Sequence, residues 1–255
     1  MSKPEYAKFT AEDKAKMEVI TGVPAKAMLE QAGLLPTPPQ DAVVLDNACG
    51  GGLVASLLFD VVGERRDVRV VCSDLEELMV KSAAQRIEKN EWNAEAKVAD
   101  AQALPFADNH FTHVMMNFAI QLIRDKDAVF KESLRVLKQG GTFGFTVWTE
   151  PGWLESMKAG VPGYVPPPIF LPGPITSPES IKTMLTSAGF TAINVEPMTF
   201  EHTDDMTQFL ADMKKLFNNV LAGEKGEAYE KYMRGRHGEG EFSLTRKACI
   251  VTAKK

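Results

Sequence analysis

Residues 45–52 read LDNACGGG and join the end of an apolar run to the start of an apolar, helix-forming segment. The run at residues 42–45 predicts a buried strand, and residues 53–62 predict a helix. A strand, a glycine turn and a helix in this order favour a nucleotide site, because glycine lets a ligand approach the backbone and the helix N-terminus offers free N–H groups. The turn alone is also compatible with a packing turn that binds nothing, and residues 50–55 match the dinucleotide fingerprint G-x-G-x-x-A.

Apolar runs and helical segments alternate along the rest of the chain. Further strands are predicted at residues 68–72, 94–98, 111–118, 142–148, 192–195 and 242–252, and further helices at residues 11–20, 24–31, 75–89, 125–137, 180–188, 206–221 and 227–234. Continuous apolar strands that alternate with helices favour an α/β fold with a parallel sheet covered on both faces. We expect one domain over residues 1–255, with four parts: an N-terminal helical cap (1–40), a core (42–148), a proline-rich cap loop (149–178) and C-terminal helices and strands (179–255).

The composition excludes several classes of protein. Hydrophobic residues make up 44% and charged residues 25%, which is unlike a disordered chain. The net charge of −5 argues against a basic surface for nucleic acid. No apolar run is long enough for a membrane helix, and the polar start predicts no secretory signal. Three cysteines, an odd number in or beside strand-like runs, predict reduced thiols. We therefore expect a cytoplasmic monomer or homodimer without nucleic-acid or membrane partners.

Three carboxylates follow the first three predicted strands. Asp46 directly precedes the glycine turn, where it would repel the pyrophosphate of a dinucleotide and suit a cationic ligand. Asp74 can accept both hydroxyls of a ribose, and Asp100 can accept from an adenine amino group. S-Adenosylmethionine carries an ammonium and a sulfonium group and no phosphate, so this pattern predicts it as the cofactor. A nicotinamide-dependent oxidoreductase is the alternative, and it would need a pyrophosphate at the turn.

Five stretches of residues 42–148 resemble the motifs of class I S-adenosylmethionine-dependent methyltransferases. They are VVLDNACGGG (first motif), SDLEELMV (second), ADAQALPFADNHFTHV (the GDAxxLPFxDxxFDxV stretch of ubiquinone and menaquinone methyltransferases), NFAIQLIRD (fourth) and ESLRVLKQGGTF (the LKPGG motif). ITGVPAKAMLEQAGL, followed by LDNACGGG, is similar to fungal secondary-metabolite methyltransferases, including the gliotoxin thiol methyltransferase group. The resemblance implies a Rossmann-like fold with a seven-stranded, mostly parallel sheet flanked by helices, whose last two strands are antiparallel.

The resemblance also implies cofactor contacts at matching positions. Asp46, the backbone of Ala48 and Gly50, and Thr21 would contact the methionine part, and Asp74 would contact the ribose. The adenine would be contacted by Leu75, Met79, Asp100 and the backbone of Ala101. Asn117 and Phe118 would line the methionine part and the transferred methyl group. Ala48 stands where the family usually has glycine, so the turn must tolerate a Cβ. Catechol-type relatives hold a divalent metal with acidic residues around strand four, and Thr112 and Asn117 do not match that pattern, so we expect no metal.

Methyl transfer needs a base only when the accepting atom arrives protonated. The sequence offers three candidate catalytic residues that are expected near the same edge of the sheet, His202, Tyr164 and Glu150, and it selects none of them.

Eight of the 15 prolines lie within residues 151–178. Proline disfavours regular helix, so this segment predicts either an irregular surface connection or a cap over the accepting molecule. The candidate substrate-binding residues are Trp148, Trp153, Phe170, Met206, Phe209 and Met213. The last three share a helical face with Phe217, a pattern also typical of core. The predicted function is methylation of a small, fairly apolar molecule at sulfur, oxygen or nitrogen. The alternative is a methyltransferase-like protein without transferase activity, acting as a regulator or as a non-methylating catalyst.

Overall fold

A computed structural model describes residues 11–63, 65–167 and 173–255, with side chains from residue 16 onward. The helices are α1 (Ala11–Gln31), α2 (Leu53–Val62), α3 (Glu77–Lys89), α4 (Lys126–Val136), α5 (Trp153–Gly160), α6 (Pro178–Ser187), α7 (Met206–Leu216) and α8 (Glu224–His237). The strands are β1 (Val43–Asn47), β2 (Arg69–Asp74), β3 (Ala94–Val98), β4 (Phe111–Asn117), β5 (Leu137–Glu150), β6 (Thr191–Asp205) and β7 (Glu241–Lys254).

The seven strands form one sheet in the order β3-β2-β1-β4-β5-β7-β6. Strands β1 to β5 pair in parallel, and β7 runs antiparallel to both β5 and β6. This arrangement confirms the predicted mostly parallel sheet with an antiparallel last pair. The strand order reverses between β1 and β4, so a crevice opens at their carboxyl ends, where open α/β sheets bind ligands.

Both faces of the central strands are buried, which explains their continuous apolar sequences. Leu45 and Phe143 belong to a core on the side of α4 and α6, and Val44 and Met115 to a core on the side of α1 and α2. Side chains alternate between the two faces of a strand, and the residues at the carboxyl ends of the strands lie at one edge of the sheet, beyond the middle of either core.

The N-terminal region is one helix, so the prediction of two separate helices was wrong. Helix α1 runs through Pro24 without a break. Its following residues, Met28 and Leu29, are buried against the sheet, and this packing compensates for the backbone hydrogen bond that proline removes. The Gln31 side chain donates to Thr252 Oγ1 at 2.9 Å, which fixes the C-terminal end of α1 to β7.

The proline-rich segment contains a regular helix, contrary to expectation. Helix α5 has no proline within it, and the prolines lie on either side. Strand β6 also continues ten residues beyond the predicted end at Val195. Pairing of β6 with β7 reaches Asp205 opposite Glu241, whereas β5 ends opposite Lys247. In this part of β6 exposed side chains alternate with half-buried ones, and after Phe200 all of them are polar, which hid the strand from the sequence pattern.

The part of the pair that continues past β5, residues 200–205 and 241–246, is called the ribbon below. Helices α7 and α8 connect its two strands. With α5 and the ribbon they enclose a third hydrophobic cluster that includes Met157, Met206, Phe209, Met213, Tyr229, Met233, Phe242 and Leu244. We call α5, α7, α8 and the ribbon the cap. The cap therefore has a small core of its own, which the proline-rich loop alone could not supply.

Candidate functional site

The glycine turn adopts left-handed backbone conformations at three positions. Ala48 and Gly50 both have φ of 55°, and Gly52 has φ of 84°. A Cβ on Gly51 would come within 3.3 Å of Glu18 Oε1, so α1 lies directly against the turn. Ala48 confirms that the turn carries a Cβ where the resembling family has glycine, and the left-handed conformation costs alanine roughly 1 kcal/mol.

Asp46 is a buried carboxylate at the centre of this site. Its side chain is 1% exposed and accepts a hydrogen bond from the Ala55 N–H at the start of α2, at 3.3 Å. Burial raises the pKa of Asp46 to about 7, and the charge of Asp74 adds to the rise, while the Ala55 N–H and Arg86 oppose it. A cation beside this carboxylate would relieve the cost of ionising it. The site therefore fits a positively charged ligand better than a phosphate.

Asp74 ties the turn to the end of β2. Its Oδ2 accepts from the Gly50 N–H at 2.8 Å and its Oδ1 from the Glu76 N–H at 3.0 Å. Each carboxylate oxygen retains a further lone pair, so Asp74 could accept ribose hydroxyls without releasing the turn. The Gly50 N–H is already used, so the backbone contribution predicted for Gly50 would come from its carbonyl.

The region predicted for the adenine combines a carboxylate with exposed apolar side chains. Asp100 Oδ1 accepts from the backbone and side-chain N–H groups of Gln102, at 2.8 and 3.1 Å. Leu75, after β2, is 61% exposed, and Val98, at the end of β3, is 50% exposed. Met79 is half-buried in the first turn of α3. Exposed apolar groups beside a carboxylate are what a flat, amino-bearing base would cover.

The end of β4 is linked to both α1 and β5. Asn117 Nδ2 donates to the Thr21 carbonyl at 3.4 Å, and Asn117 Oδ1 accepts from Thr146 Oγ1 at 2.6 Å. The Thr21 hydroxyl donates to Met17 within its own helix, at 2.8 Å. Phe118 has φ of 53°, and its N–H donates to Thr146 Oγ1 at 2.9 Å. These bonds hold Asn117 and Phe118 in place at the edge where the methyl group was predicted.

Three aromatic rings continue from this point across the sheet. Phe118 stacks on Trp148 with a centroid distance of 4.0 Å and an interplanar angle of 13°. Trp148 in turn lies near-parallel to Phe200 at 6.1 Å and 28°. The Trp148 N–H donates to Gln121 Oε1 at 2.8 Å, which fixes the backbone of this residue. We call Phe118, Trp148 and Phe200 the aromatic wall. It leads from the end of β4 to the base of the ribbon.

The three candidate catalytic residues lie on three different elements. Glu150 ends β5 and pairs with Lys247 Nζ at 2.7 Å. Tyr164 follows α5, and its hydroxyl is buried without a hydrogen-bond partner among the residues that the structure describes. Burial raises the pKa of Tyr164. His202 lies on the ribbon, with Nε2 3.7 Å from Asp204 Oδ1. Glu150 is thus already paired with a cation, whereas His202 and Tyr164 are not.

The predicted substrate-binding residues divide between the wall and the cap. Trp148 is part of the aromatic wall. Trp153 packs on Phe217 in the cap, with a centroid distance of 4.6 Å. Met206, Phe209 and Met213 are buried in the cap core, so any contact of these three with a substrate stays a prediction. Phe170 lies outside the described residues.

Two features of the site were missed in the sequence. Arg246 is 3% exposed and donates to Asp204 Oδ2 at 2.8 Å, so the carboxylate beside His202 is anchored by a buried cation. Glu18 pairs with Arg86 at 2.8 Å and so fastens α1 to α3 over the glycine turn. Both pairs join residues far apart in sequence, and no local spacing indicates them.

Residues 16–63, 65–167 and 173–255 bring no three His, Cys, Asp or Glu side chains close enough together to hold a metal ion. In the described part of the chain, no helix has both the length and the apolar character needed to cross a membrane. All three cysteines are free and buried.

Comparison with known proteins agrees with this geometry. A family model described as a methyltransferase domain matches residues 44–141. Methyltransferase tpcH of Aspergillus fumigatus is 34% identical over 260 residues, which cover 90% of each chain. The chain belongs to the class I S-adenosylmethionine-dependent methyltransferases, and S-adenosylmethionine is its cofactor.

Further relatives differ in the chemistry that their names describe. The acetylaranotin bis-thiomethyltransferase of Aspergillus terreus is 31% identical over 157 residues, 59% of this chain and 53% of that protein. A ubiquinone/menaquinone biosynthesis C-methyltransferase of Shewanella piezotolerans is 29% identical, over 67% of this chain and 73% of that protein. Among solved structures, YcgJ of Bacillus subtilis has a TM-score of 0.61 at 20% identity, covering 92% of this chain and 98% of that one. This likeness shows the fold alone.

Proposed function

We propose that the enzyme methylates a small, fairly apolar metabolite at sulfur, oxygen or nitrogen, without a metal ion. The observation that carries the proposal is the aromatic wall. It begins at the buried Phe118, next to Asn117 at the methyl end of the predicted cofactor site, and continues with the half-buried rings of Trp148 and Phe200. Aromatic side chains favour flat, apolar partners, because ring stacking adds to the burial of apolar area.

The charges of the described residues support this cofactor. Asp46 supplies a buried carboxylate for the cationic part, Asp74 lies at the ribose position, and Asp100 with the backbone of Ala101 lies at the adenine position. Leu75 and Met79 would pack on the adenine. The bound cofactor supplies a methyl group on a sulfonium, whose departure as a neutral thioether needs no charge stabilisation from a metal.

The remaining work of the chain is to position the acceptor and exclude water. The acceptor would lie between the aromatic wall and the cap, with its reacting atom about 3 Å from the methyl group and in line with the bond that breaks. Trp148 and Trp153 would contact it. The cap core of Met206, Phe209 and Met213 would hold the cap rigid above it.

An acceptor that arrives protonated needs a group to take its proton. Of the three candidates, Glu150 already holds an ion pair with Lys247, so a carboxylate oxygen is occupied by that contact. His202 has the Asp204 carboxylate 3.7 Å from its Nε2, and Arg246 holds that carboxylate in place, so Asp204 is positioned to orient the imidazole ring. The unpartnered Tyr164 hydroxyl could bond a polar group of the acceptor. We therefore propose His202 as the proton acceptor and Tyr164 as an acceptor contact.

The biological setting is also proposed. Similarity to the Aspergillus proteins over most of the chain supports a role in secondary metabolism. The free, buried thiols support a reducing compartment such as the cytoplasm. We propose that the enzyme acts there as a monomer or homodimer, on a small molecule and without nucleic-acid or membrane partners.

The test is a methyl-transfer screen with a dithiol, a phenol and an amine as acceptors, with chelator present, read by mass spectrometry. Trp148→Ala should reduce turnover of the best acceptor at least about tenfold, because one stacking contact and its buried area are lost. The affinity for the cofactor should stay unchanged. The matched control is Trp92→Ala, which removes a tryptophan that stacks on Phe59 away from the wall. Equal turnover in the Trp148 and Trp92 variants would argue against the wall as the acceptor site.

A further inference from the structure

Asn47 is a buried polar residue with an unused hydrogen-bonding atom at the cofactor edge. It ends β1 between Asp46 and Ala48 and is 1% exposed. Its Oδ1 accepts from Ser73 Oγ at 3.3 Å. Its Nδ2 is buried and finds no acceptor anywhere in the described residues. Exchanging the amide oxygen and nitrogen would only move the unused position to the oxygen, so one polar atom stays without a partner in either orientation.

A buried amide without a partner opposes folding, because it has lost its hydrogen bonds to water and gained none. Leucine has a similar size and would fill this strand end without that cost. Ser73 does not explain the amide, since it engages only the oxygen and leaves the nitrogen directed elsewhere. A ligand atom that accepts a hydrogen bond from Nδ2 would explain both the amide and its orientation.

The position of Asn47 indicates which part of the cofactor it meets. Alternation along β1 places Asn47 on the face of Leu45, opposite to Asp46. Ser73, its cross-strand neighbour, is the penultimate residue of β2 and lies on that same face. Leu45 belongs to the cluster that contains Ala99 and Ala101, after β3, where the adenine is expected. Asn47 therefore projects on the sheet face that carries Ala99 and Ala101, and its bond to Ser73 turns its side chain towards β2, whereas Asp46 projects on the opposite face.

We propose that the Asn47 side-chain amide donates a hydrogen bond to the nucleoside part of S-adenosylmethionine, with Ser73 fixing its orientation. Ribose oxygens and adenine ring nitrogens are the acceptors of that part. The inference concerns cofactor binding only, so it stands or falls independently of which molecule is methylated and whether a base is used.

The experiment measures binding of S-adenosylhomocysteine by calorimetry, so no acceptor is required. Asn47→Leu should weaken binding at least about tenfold. In the double variant Asn47→Leu, Ser73→Ala, which leaves no buried hydroxyl without its acceptor, the melting temperature of the unliganded protein should be unchanged or higher, because the unpaired amide is gone. These two effects have opposite directions, and a residue that merely supports the fold would not produce both.

Ser133 provides the matched control. Its hydroxyl is also buried and unpartnered within the described chain, yet it lies on α4, away from the sheet edge. Ser133→Ala should leave the affinity for S-adenosylhomocysteine unchanged. Adenosine serves as a second ligand. Asn47→Leu should lower the affinity for adenosine by a factor similar to that for S-adenosylhomocysteine.

Two results would overturn the proposal. One is a folded Asn47→Leu protein whose affinity for S-adenosylhomocysteine is within about twofold of the parent's. The other is a loss of affinity for S-adenosylhomocysteine without a loss of affinity for adenosine, which would indicate that Asn47 contacts the amino-acid part instead. Should Asn47→Leu fail to fold, the same comparison is made with the double variant Asn47→Ala, Ser73→Ala, which removes both partners of the existing hydrogen bond.

Discussion

The titration of Asp46 predicts a pH-dependent cofactor affinity. Burial, with the charge of Asp74, raises the pKa of this carboxyl to about 7 in the unliganded protein, against the pull of the Ala55 N–H and Arg86. At pH 6 roughly nine-tenths of the molecules would then hold the proton, and at pH 8 most would be ionised. A cationic ligand binds the ionised form, so its binding releases a proton wherever Asp46 starts protonated.

The size of the effect follows from that pKa. Affinity for S-adenosylmethionine should be about tenfold weaker at pH 6 than at pH 8, which is the cost of deprotonating a group one unit below its pKa. Asp46→Asn should remove most of this dependence and weaken binding at pH 8. The stability of the unliganded protein changes with pH in the opposite direction. The folded pKa exceeds that of the unfolded chain, so the contribution of Asp46 is full below about pH 4 and is lost as the pH rises through about 7.

Calorimetry at pH 6, 7 and 8, in pairs of buffers with different ionisation enthalpies, measures both affinity and proton release. The control is Asp67, a half-buried carboxylate that pairs with Arg65 away from the glycine turn, and Asp67→Asn should keep the parent's pH dependence. The reasoning is refuted if the parent's affinity is constant from pH 6 to 8, or if Asp46→Asn retains the full dependence.

Three further substitutions test other parts of the site. Asp74→Ala should weaken the binding of S-adenosylmethionine at least about tenfold, or 1.4 kcal/mol, because charge-assisted hydrogen bonds are lost. Unchanged affinity in calorimetry would contradict a contact between Asp74 and the ribose. Ala48→Gly should raise the free energy of unfolding by up to about 1 kcal/mol in urea titration, since it relieves the left-handed alanine; a loss of stability would count against that strain. Glu18→Gln should speed cofactor release in stopped-flow measurements, because the pair with Arg86 holds α1 over the turn; release at the parent's rate would show that the pair does not close the site.

The cofactor edge could be predicted because its residues are adjacent to strand ends in the sequence. Asp46 and Asp74 lie at the ends of apolar runs, and Asp100 follows the weaker strand β3; parallel strands bring such positions to one edge of the sheet whatever the details of packing. The sheet itself followed from the alternation of apolar strands and helices. The local sequence pattern was sufficient to predict a feature wherever that feature depends on a single strand or helix.

Features that depend on contacts between distant segments could not be predicted. Helix α1 continues through Pro24 because its buried face packs on the sheet, which local propensity does not include. In the ribbon part of β6 every residue except Phe200 is polar, so neither a helical nor a strand pattern marked it. The unpaired amide of Asn47 is visible only once its neighbours are known. Polarity at the end of an apolar strand was the one available signal for it.

The most direct test of the account is transfer of a labelled methyl group. The enzyme is incubated with S-adenosylmethionine carrying a trideuterated methyl group, with a phenol, a dithiol and an amine, and with a chelator present. The account predicts that at least one flat, apolar acceptor gains one labelled methyl group at sulfur, oxygen or nitrogen and that Trp148→Ala reduces this product. Cofactor binding in calorimetry without a labelled product from any acceptor, or labelling only after a metal ion is restored, would contradict it.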